Sequence, residues 1–162
     1  MHGVILLALE ILFVCLGNTG RSGMAKAILE DRLRKTSGLP HEIAVDSAGT
    51  SAGEGCEPES YAVRALKEDF GIDMSGHRSK PLNRELVSSA DLILCMERSI
   101  VGELVRRYPD VKGKTTRFTD YVGEGGDIED CAGEGYSCYT ETARWLASLS
   151  ESLIRKLGAR PC

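Results

Sequence analysis

The sequence has no unbroken apolar stretch of about 18 residues, so nothing in it reads as a membrane-spanning helix. Proline is scarce, 5 residues against 18 glycines, and the glycines gather in loops, which points to special backbone geometry rather than disorder. A basic excess is missing: 20 Lys and Arg stand against 24 Asp and Glu, a net charge of −4. Non-specific nucleic-acid binding needs a basic face, so that class is disfavoured. There is no Cys-x-x-Cys, and His2, His41 and His77 lie near no cysteine pair, which argues against a zinc site. Internal repeats, low-complexity tracts and linkers are absent too. The 6 cysteines are an even number, but a chain of 162 residues with 42% apolar residues can build its core without disulfide staples. Free thiols in a reducing cytoplasm are therefore expected, with Cys56 and Cys95 as small packing residues.

What is present fits one globular domain over residues 1–162. Residues 4–14 are nearly all apolar, interrupted at Glu10. No Lys or Arg precedes them and no small-residue cleavage site follows, so a signal peptide is disfavoured. Residues 11–14 read as a buried strand, and residues 1–9 as its extension or as a start assigned too far upstream. Met24, Ala25, Ile28, Leu29 and Leu33 repeat at helical spacing, and residues 37–40 end that helix. Residues 42–46 alternate as a strand, and residues 48–58 form a glycine-rich loop. A helix over 58–70 stops at Gly71, and a short helix fits 84–89. Residues 92–96 form an apolar run of the kind buried on both faces. Ile100, Val101, Leu104 and Val105 mark another helix, closed near Pro109. A fourth strand fits 115–118, a glycine- and acid-rich loop 123–135, and a last helix runs from about 139 to 157. Four alternations of strand and helix imply an α/β fold, a parallel sheet with helices on both faces. In such sheets ligands bind beyond the carboxyl ends of the strands.

The loop after the first strand carries the chemistry. In Cys15-Leu16-Gly17-Asn18-Thr19-Gly20-Arg21-Ser22, glycine and Asn tolerate positive φ, so successive amides can turn inward as an anion nest. The following helix adds unpaired N–H groups and its positive dipole end. Arg21 adds a planar fork suited to two phosphate oxygens. A cysteine in that field is favoured as thiolate, which makes it a nucleophile at the base of an oxyanion cradle. The bare spacing Cys-x5-Arg is weak, since Cys138 and Arg144 share it. That second pair enters a helix with no glycine between, so it has no cradle. A buried strand-end thiol is the plain alternative for Cys15. Downstream, residues 125–130 offer a carboxylic acid that can protonate a leaving group, although the same segment also reads as a solvated acidic loop.

The stretch 14–25 resembles the signature of the low-molecular-weight protein tyrosine phosphatases. The likeness continues through Asp46-Ser47-Ala48-Gly49-Thr50, residues 71–79, residues 90–96 and Asp127-Ile128-Glu129-Asp130, then Tyr139-x-x-Thr142. The resemblance implies a four-stranded twisted sheet in the order 2-1-3-4 with a phosphate-binding loop after strand 1. It implies Cys15 as nucleophile, Arg21 as phosphoryl ligand, and the amides of Leu16, Gly17, Asn18, Thr19, Gly20 and Ser22 as the cradle. Asn18 would hold a strained loop braced by Ser47, and the Ser22 hydroxyl would support the thiolate. Asp130 would protonate the leaving group and then activate water against a phosphocysteine. His77 falls in a structural stretch. The partners implied are a phosphorylated protein as substrate and inorganic phosphate as product, with no nucleic acid, no membrane, no metal and no cofactor.

Thr19 bears on the substrate. Many tyrosine-specific members carry an aliphatic residue there, and threonine is similar to the protein-arginine-phosphatase branch, so phosphoarginine is favoured over phosphotyrosine; simple loop variation is the plain alternative. Three positions depart from the family pattern. Gly20 replaces a second cysteine, so a disulfide within the loop cannot form. Gly23 replaces a proline at the helix start. Cys131-Ala132 replaces a Pro-aromatic pair, which removes a flat wall of the substrate slot and a rigid φ beside Asp130. Cys131 is expected to hover over Cys15, as a substitute resolving thiol after oxidation. A protein tyrosine phosphatase is the first alternative. A thiol-linked arsenate reductase ranks lower, because it needs a relay of two further cysteines and Cys95 has no partner nearby. A non-catalytic phosphate-binding module is the third.

Overall fold

A computed structural model describes residues 8–158. The apolar run at the N-terminus forms strand β1 (Leu9–Cys15), the centre of the sheet. Period-two alternation gives it two buried faces. Ile11, Phe13 and Cys15 enter one core layer, and Leu12 and Val14 enter the other. All three pairings in the sheet are parallel, as the alternation of elements predicts, and the order is β2-β1-β3-β4, as the family resemblance implies. The partners are β2 (Ile43–Gly49), β3 (Leu92–Cys95) and β4 (Thr115–Arg117).

Helix α1 (Arg21–Arg34) follows β1 directly, and α2 (Ser60–Phe70) ends at Gly71 in the left-handed conformation, φ 65°. Helix α6 (Tyr136–Gly158) packs on α1 and α2, and these three cover the Phe13 face. Phe13 and Phe118 pack against each other with tilted rings, centroids 5.0 Å apart. The Val14 face is covered by residues of α3 (Arg84–Ser89) and α4 (Arg98–Arg107). Helix α3 is capped by the Asn83 side chain, which accepts from Leu86 N at 2.8 Å. A 3₁₀ segment (Pro109–Lys114) leads into β4, and α5 (Phe118–Tyr121) follows it.

Several boundaries differ from the sequence reading, each for a local reason. Strand β2 runs to Gly49 rather than Asp46, because Ala48 and Gly49 pair with Val14 and Cys15. Phe118 opens a helical turn instead of closing β4, and α6 begins at Tyr136, three residues before Tyr139. Helix α2 starts at Ser60, not at position 58. Residues 1–7 lie outside the described part, but Leu9 and Glu10 belong to β1, where Leu9 pairs with Ile43. Among the described residues no helix is long and apolar enough to cross a membrane.

The topology opens a crevice at one point. The neighbours of β1 lie on opposite sides of it, β2 against Cys15 through Gly49 and β3 against Val14 through Cys95. The chain leaves the carboxyl end of β1 between two strands whose connections diverge, which is where open α/β sheets bind ligands.

Candidate active site

Residues 15–20 join the end of β1 to the start of α1 and curl around a small cavity of about 100 Å³. Cys15, Leu16, Gly17, Asn18, Thr19, Gly20 and Arg21 line it, facing Glu59, Asp130 and Ala132 across the opening. Asn18 fixes the curl. It is the one non-glycine residue with positive φ among the described residues, at 57°, a conformation that asparagine tolerates better than most side chains. Its amide Nδ2 donates to Ser22 Oγ at 2.8 Å and to Ser47 Oγ at 3.0 Å, and its Oδ1 accepts from Lys80 N at 2.9 Å. Its carbonyl oxygen lies 2.7 Å from His77 Nε2. A carbonyl only accepts, so His77 carries its proton on Nε2. The loop is also stitched to the residues just after β2 and just before α2: Thr50 N donates to Cys15 O, Ser51 N to Leu16 O and Glu59 N to Thr19 O, all at 2.9–3.0 Å.

The buried Cys15 sulfur sits at the floor. Asn18 N donates to it at 3.2 Å, and Ser22 Oγ lies 2.9 Å away. Arg21 is also buried, with one face of its guanidinium tied down. Its Nη1 donates to the Glu97 carboxylate and to Ile128 O, the latter at 2.8 Å. Its Nη2 lies 3.8 Å from Asp130 Oδ2. The arrangement therefore combines main-chain donors, a fixed guanidinium, a sulfur and a carboxyl group around one cavity, a set that can hold an oxyanion while the sulfur attacks it.

All the residues expected from the sequence converge here, Ser22 and Ser47 through the Asn18 network and the others on the cavity itself. The second Cys-x5-Arg match does not: Cys138 is bonded elsewhere and Arg144 lies 3.5 Å from Asp69. Two of the family departures acquire a physical meaning. A Cβ on Gly20 would lie 2.1 Å from Glu59 Oε2, and one on Gly23 would lie 2.9 Å from His77 Nε2. Each glycine makes room for a side chain that holds or faces the loop.

Three cysteine expectations are corrected. Cys131 and Cys138 form a disulfide across a separation of 7 residues, so they are not free thiols. Cys131 turns toward Cys138 and Thr142 rather than hovering over Cys15, and it is not a resolving thiol in this state. The bond is short-range, so it ties down a loop rather than compensating for a small core. Cys56 is exposed rather than packed, because the residue sits in the loop before α2. Cys95 is buried in the core as expected, and burial, with Cys15 as a second cause, pushes its thiol well above the ordinary range.

The acid segment is anchored on both sides of Asp130. Ile128 is fully buried, its N–H donates to Met96 O at 2.9 Å, and its carbonyl receives Arg21. Arg117 donates to Asp127 Oδ1 at 2.8 Å and to both oxygens of Asp120, and holds those two carboxyls below the usual range. On the other side, the Cys131–Cys138 bond ties the segment to the start of α6. A covalent tie stands where the family pattern has a stiff proline. Asp130 itself is exposed, and its Oδ1 accepts from Ala132 N at 2.9 Å.

The residues that sequence reasoning missed are Glu59 and Glu97; Tyr139 belongs to the family likeness, but with no role assigned to it. Glu97 was reachable, since it follows β3 at the carboxyl end of the sheet. Glu59 and Tyr139 are brought to the loop only by tertiary packing.

Comparison with known proteins bears on this geometry. The family model described as low molecular weight phosphotyrosine protein phosphatase matches residues 10–160. A protein-arginine-phosphatase of Geobacillus stearothermophilus is 39% identical over 149 residues, covering 91% of this chain and 95% of that protein. The crystal structure of a low molecular weight protein tyrosine phosphatase from T. tengcongensis superposes with a TM-score of 0.86 at 40% identity, covering 91% of this chain and 99% of that one. A YwlE arginine phosphatase mutant with a phosphorylated active-site serine superposes with a TM-score of 0.86 at 33% identity, covering 92% and 95%.

Proposed function

The chain belongs to the low molecular weight phosphotyrosine protein phosphatase family, and from that premise we propose how its site works and which phosphorylated side chain it favours. It is a cysteine-dependent protein phosphatase. In our reading Cys15 Sγ attacks phosphorus as the thiolate, and the S–P bond forms as the bond from phosphorus to the leaving atom breaks. Asp130 gives its proton to that atom. The deprotonated Asp130 then takes a proton from water, whose oxygen attacks the phosphocysteine and releases inorganic phosphate and the Cys15 thiolate. Arg21 and the amides from Leu16 to Ser22 hold the three phosphoryl oxygens, and they match a trigonal-bipyramidal transition state better than a tetrahedral ground state. Ser22 and Asn18 N support the sulfur as attacking and as leaving group. The observation that carries the reading is the convergence on one cavity of Cys15, with Asn18 N and Ser22 Oγ at its sulfur, Arg21 and Asp130.

Phosphoarginine is the favoured substrate, with phosphotyrosine second. Thr19 lines the cavity, and in this reading its hydroxyl suits a polar guanidinium better than a phenyl ring, which an aliphatic side chain there would favour. Ala132, also on the cavity, offers no aromatic wall. The relative from Geobacillus stearothermophilus bears the name protein-arginine-phosphatase. A thiol relay of the arsenate-reductase kind through Cys95 finds no support, since that thiol is buried and pushed up. A cytoplasmic site of action goes with this reading; the Cys131–Cys138 bond is the feature that points to more oxidising conditions.

The test is hydrolysis of a phosphoarginine peptide against a phosphotyrosine peptide of the same sequence, by the wild type, Thr19→Ile and Cys15→Ser. Cys15→Ser should abolish turnover of both. Thr19→Ile should move the ratio of kcat/KM values at least about tenfold toward phosphotyrosine, the scale expected of one group in a specificity pocket. An unmoved ratio removes the substrate argument.

A further inference from the structure

The mouth of the cavity holds a carboxylate that the hydrolytic steps above do not use. Glu59 stands just before α2, and three separate contacts fix it over the phosphate loop. Its main-chain N–H donates to Thr19 O at 2.9 Å. Its Oε1 accepts from Tyr139 OH at 3.0 Å. Its Oε2 occupies the space above Gly20, where any Cβ would lie 2.1 Å away. Glu59 lines the same cavity as Cys15, Arg21 and Asp130, and among the described residues it has no ion pair with a cationic side chain.

An acid in this position has a physical oddity. A site for a phosphoryl dianion is expected to be ringed by positive charge and N–H donors, and a second carboxylate at its rim repels the dianion. That repulsion is offset if the group attached to phosphorus is itself a cation. Tyr139 keeps the carboxylate in place: burial first, then the hydrogen bond to Glu59, pushes its phenol up to about 12, so it stays a donor across the neutral range. Resting on the phosphatase reading above, we infer that Glu59 is a specificity-determining residue whose carboxylate binds the guanidinium of an N-phosphorylated arginine side chain while Arg21 and the loop hold its phosphoryl group. The chain alternates sign along the substrate: donors for the phosphoryl oxygens at the floor, a carboxylate for the guanidinium at the rim. Gly20 is part of the same device, because a side chain there would expel the carboxylate.

Glu59→Gln tests this, since it keeps the size of the side chain and an oxygen for the Tyr139 hydroxyl while removing the charge. The readout is the ratio of kcat/KM for a phosphoarginine peptide to that for a phosphotyrosine peptide of the same sequence, measured for the wild type, Glu59→Gln and Glu59→Asp. The expected result is a fall in that ratio of at least about tenfold in Glu59→Gln, with partial recovery in Glu59→Asp, the scale of one charge-assisted contact. A merely structural role would lower both activities together and leave the ratio in place, and that outcome overturns the inference while sparing the substrate reading. A wild type that hydrolyses the phosphotyrosine peptide and leaves the phosphoarginine peptide intact overturns both.

Discussion

At the scale of single residues, position 18 concentrates most of the strain and most of the hydrogen bonding in the loop. A positive φ costs a non-glycine residue about 1–2 kcal/mol, and Asn18 offsets this with side-chain bonds to Ser22, Ser47 and the Lys80 amide. Two variants separate the terms. Asn18→Gly keeps the backbone angle without strain but loses the side-chain bonds; Asn18→Ala loses both. Both should be less stable than the wild type in urea unfolding, with Asn18→Ala lower than Asn18→Gly by about 1 kcal/mol. Both should also lose turnover, on the order of 10²-fold, because a loop shifted by about an ångström no longer presents its amides to the phosphoryl oxygens. Variants as stable and active as the wild type would show that the cradle holds its shape without the asparagine. Glu59 shows the complementary lesson: its charge is ordinary in a sequence, and only packing over Gly20 gives it a position.

At the scale of elements, the segment between α5 and α6 is the least regular part of the site and the most heavily tied. It has a buried anchor at Ile128, an ion-paired anchor at Asp127 and a covalent one at Cys131, with Asp130 between the last two. A disulfide that closes so short a loop removes denatured-state entropy equivalent to about 2.5 kcal/mol. The double variant Cys131→Ser/Cys138→Ser should lose about that much stability in urea unfolding. It should also lose more turnover on a substrate with a poor leaving group than on an activated aryl phosphate, because only the former depends on a well-placed proton from Asp130. Equal losses on both substrates would mean that the tie serves stability alone. Sequence patterning was informative for the other elements because each has a period of its own. The β1 run is apolar on both faces and α2 stops at a glycine, and both signals are local. The disulfide was not legible, since pairing of Cys131 with Cys138 depends on α6 starting one turn early and swinging Cys138 back toward the acid segment.

At the scale of the whole molecule, the parallel sheet and the site at the carboxyl end of β1 follow from alternation and handedness, while the strand order comes from the family resemblance. Charge pairing could not be read in either way, because which carboxyl each arginine meets is decided by loop packing, and it sets how the fold answers to pH. Asp110 beside Arg84, and Asp120 and Asp127 beside Arg117, titrate below their ordinary values in the native state. The unfolded chain therefore binds more protons near pH 4, so the stability these carboxyls contribute is present above their ordinary pKa and lost as pH falls through the depressed values. The phenol of Tyr139 shifts the other way, up to about 12, chiefly through burial. Between roughly pH 10 and that value the native state keeps a proton that the unfolded chain has released, so its contribution is present below about pH 10 and fades as pH rises. Urea midpoints measured from pH 3 to 11 should form a plateau with a shoulder at each end. Arg117→Gln should reduce the acid shoulder alone, leaving the share of Asp110, and Tyr139→Phe should reduce the alkaline shoulder alone, leaving the share of the buried Cys95 thiol. Because the two groups sit on either side of the acid segment, a variant that moved both shoulders would show instead that the segment unfolds as one unit, with Arg117 and Tyr139 acting through its packing rather than through their own protons.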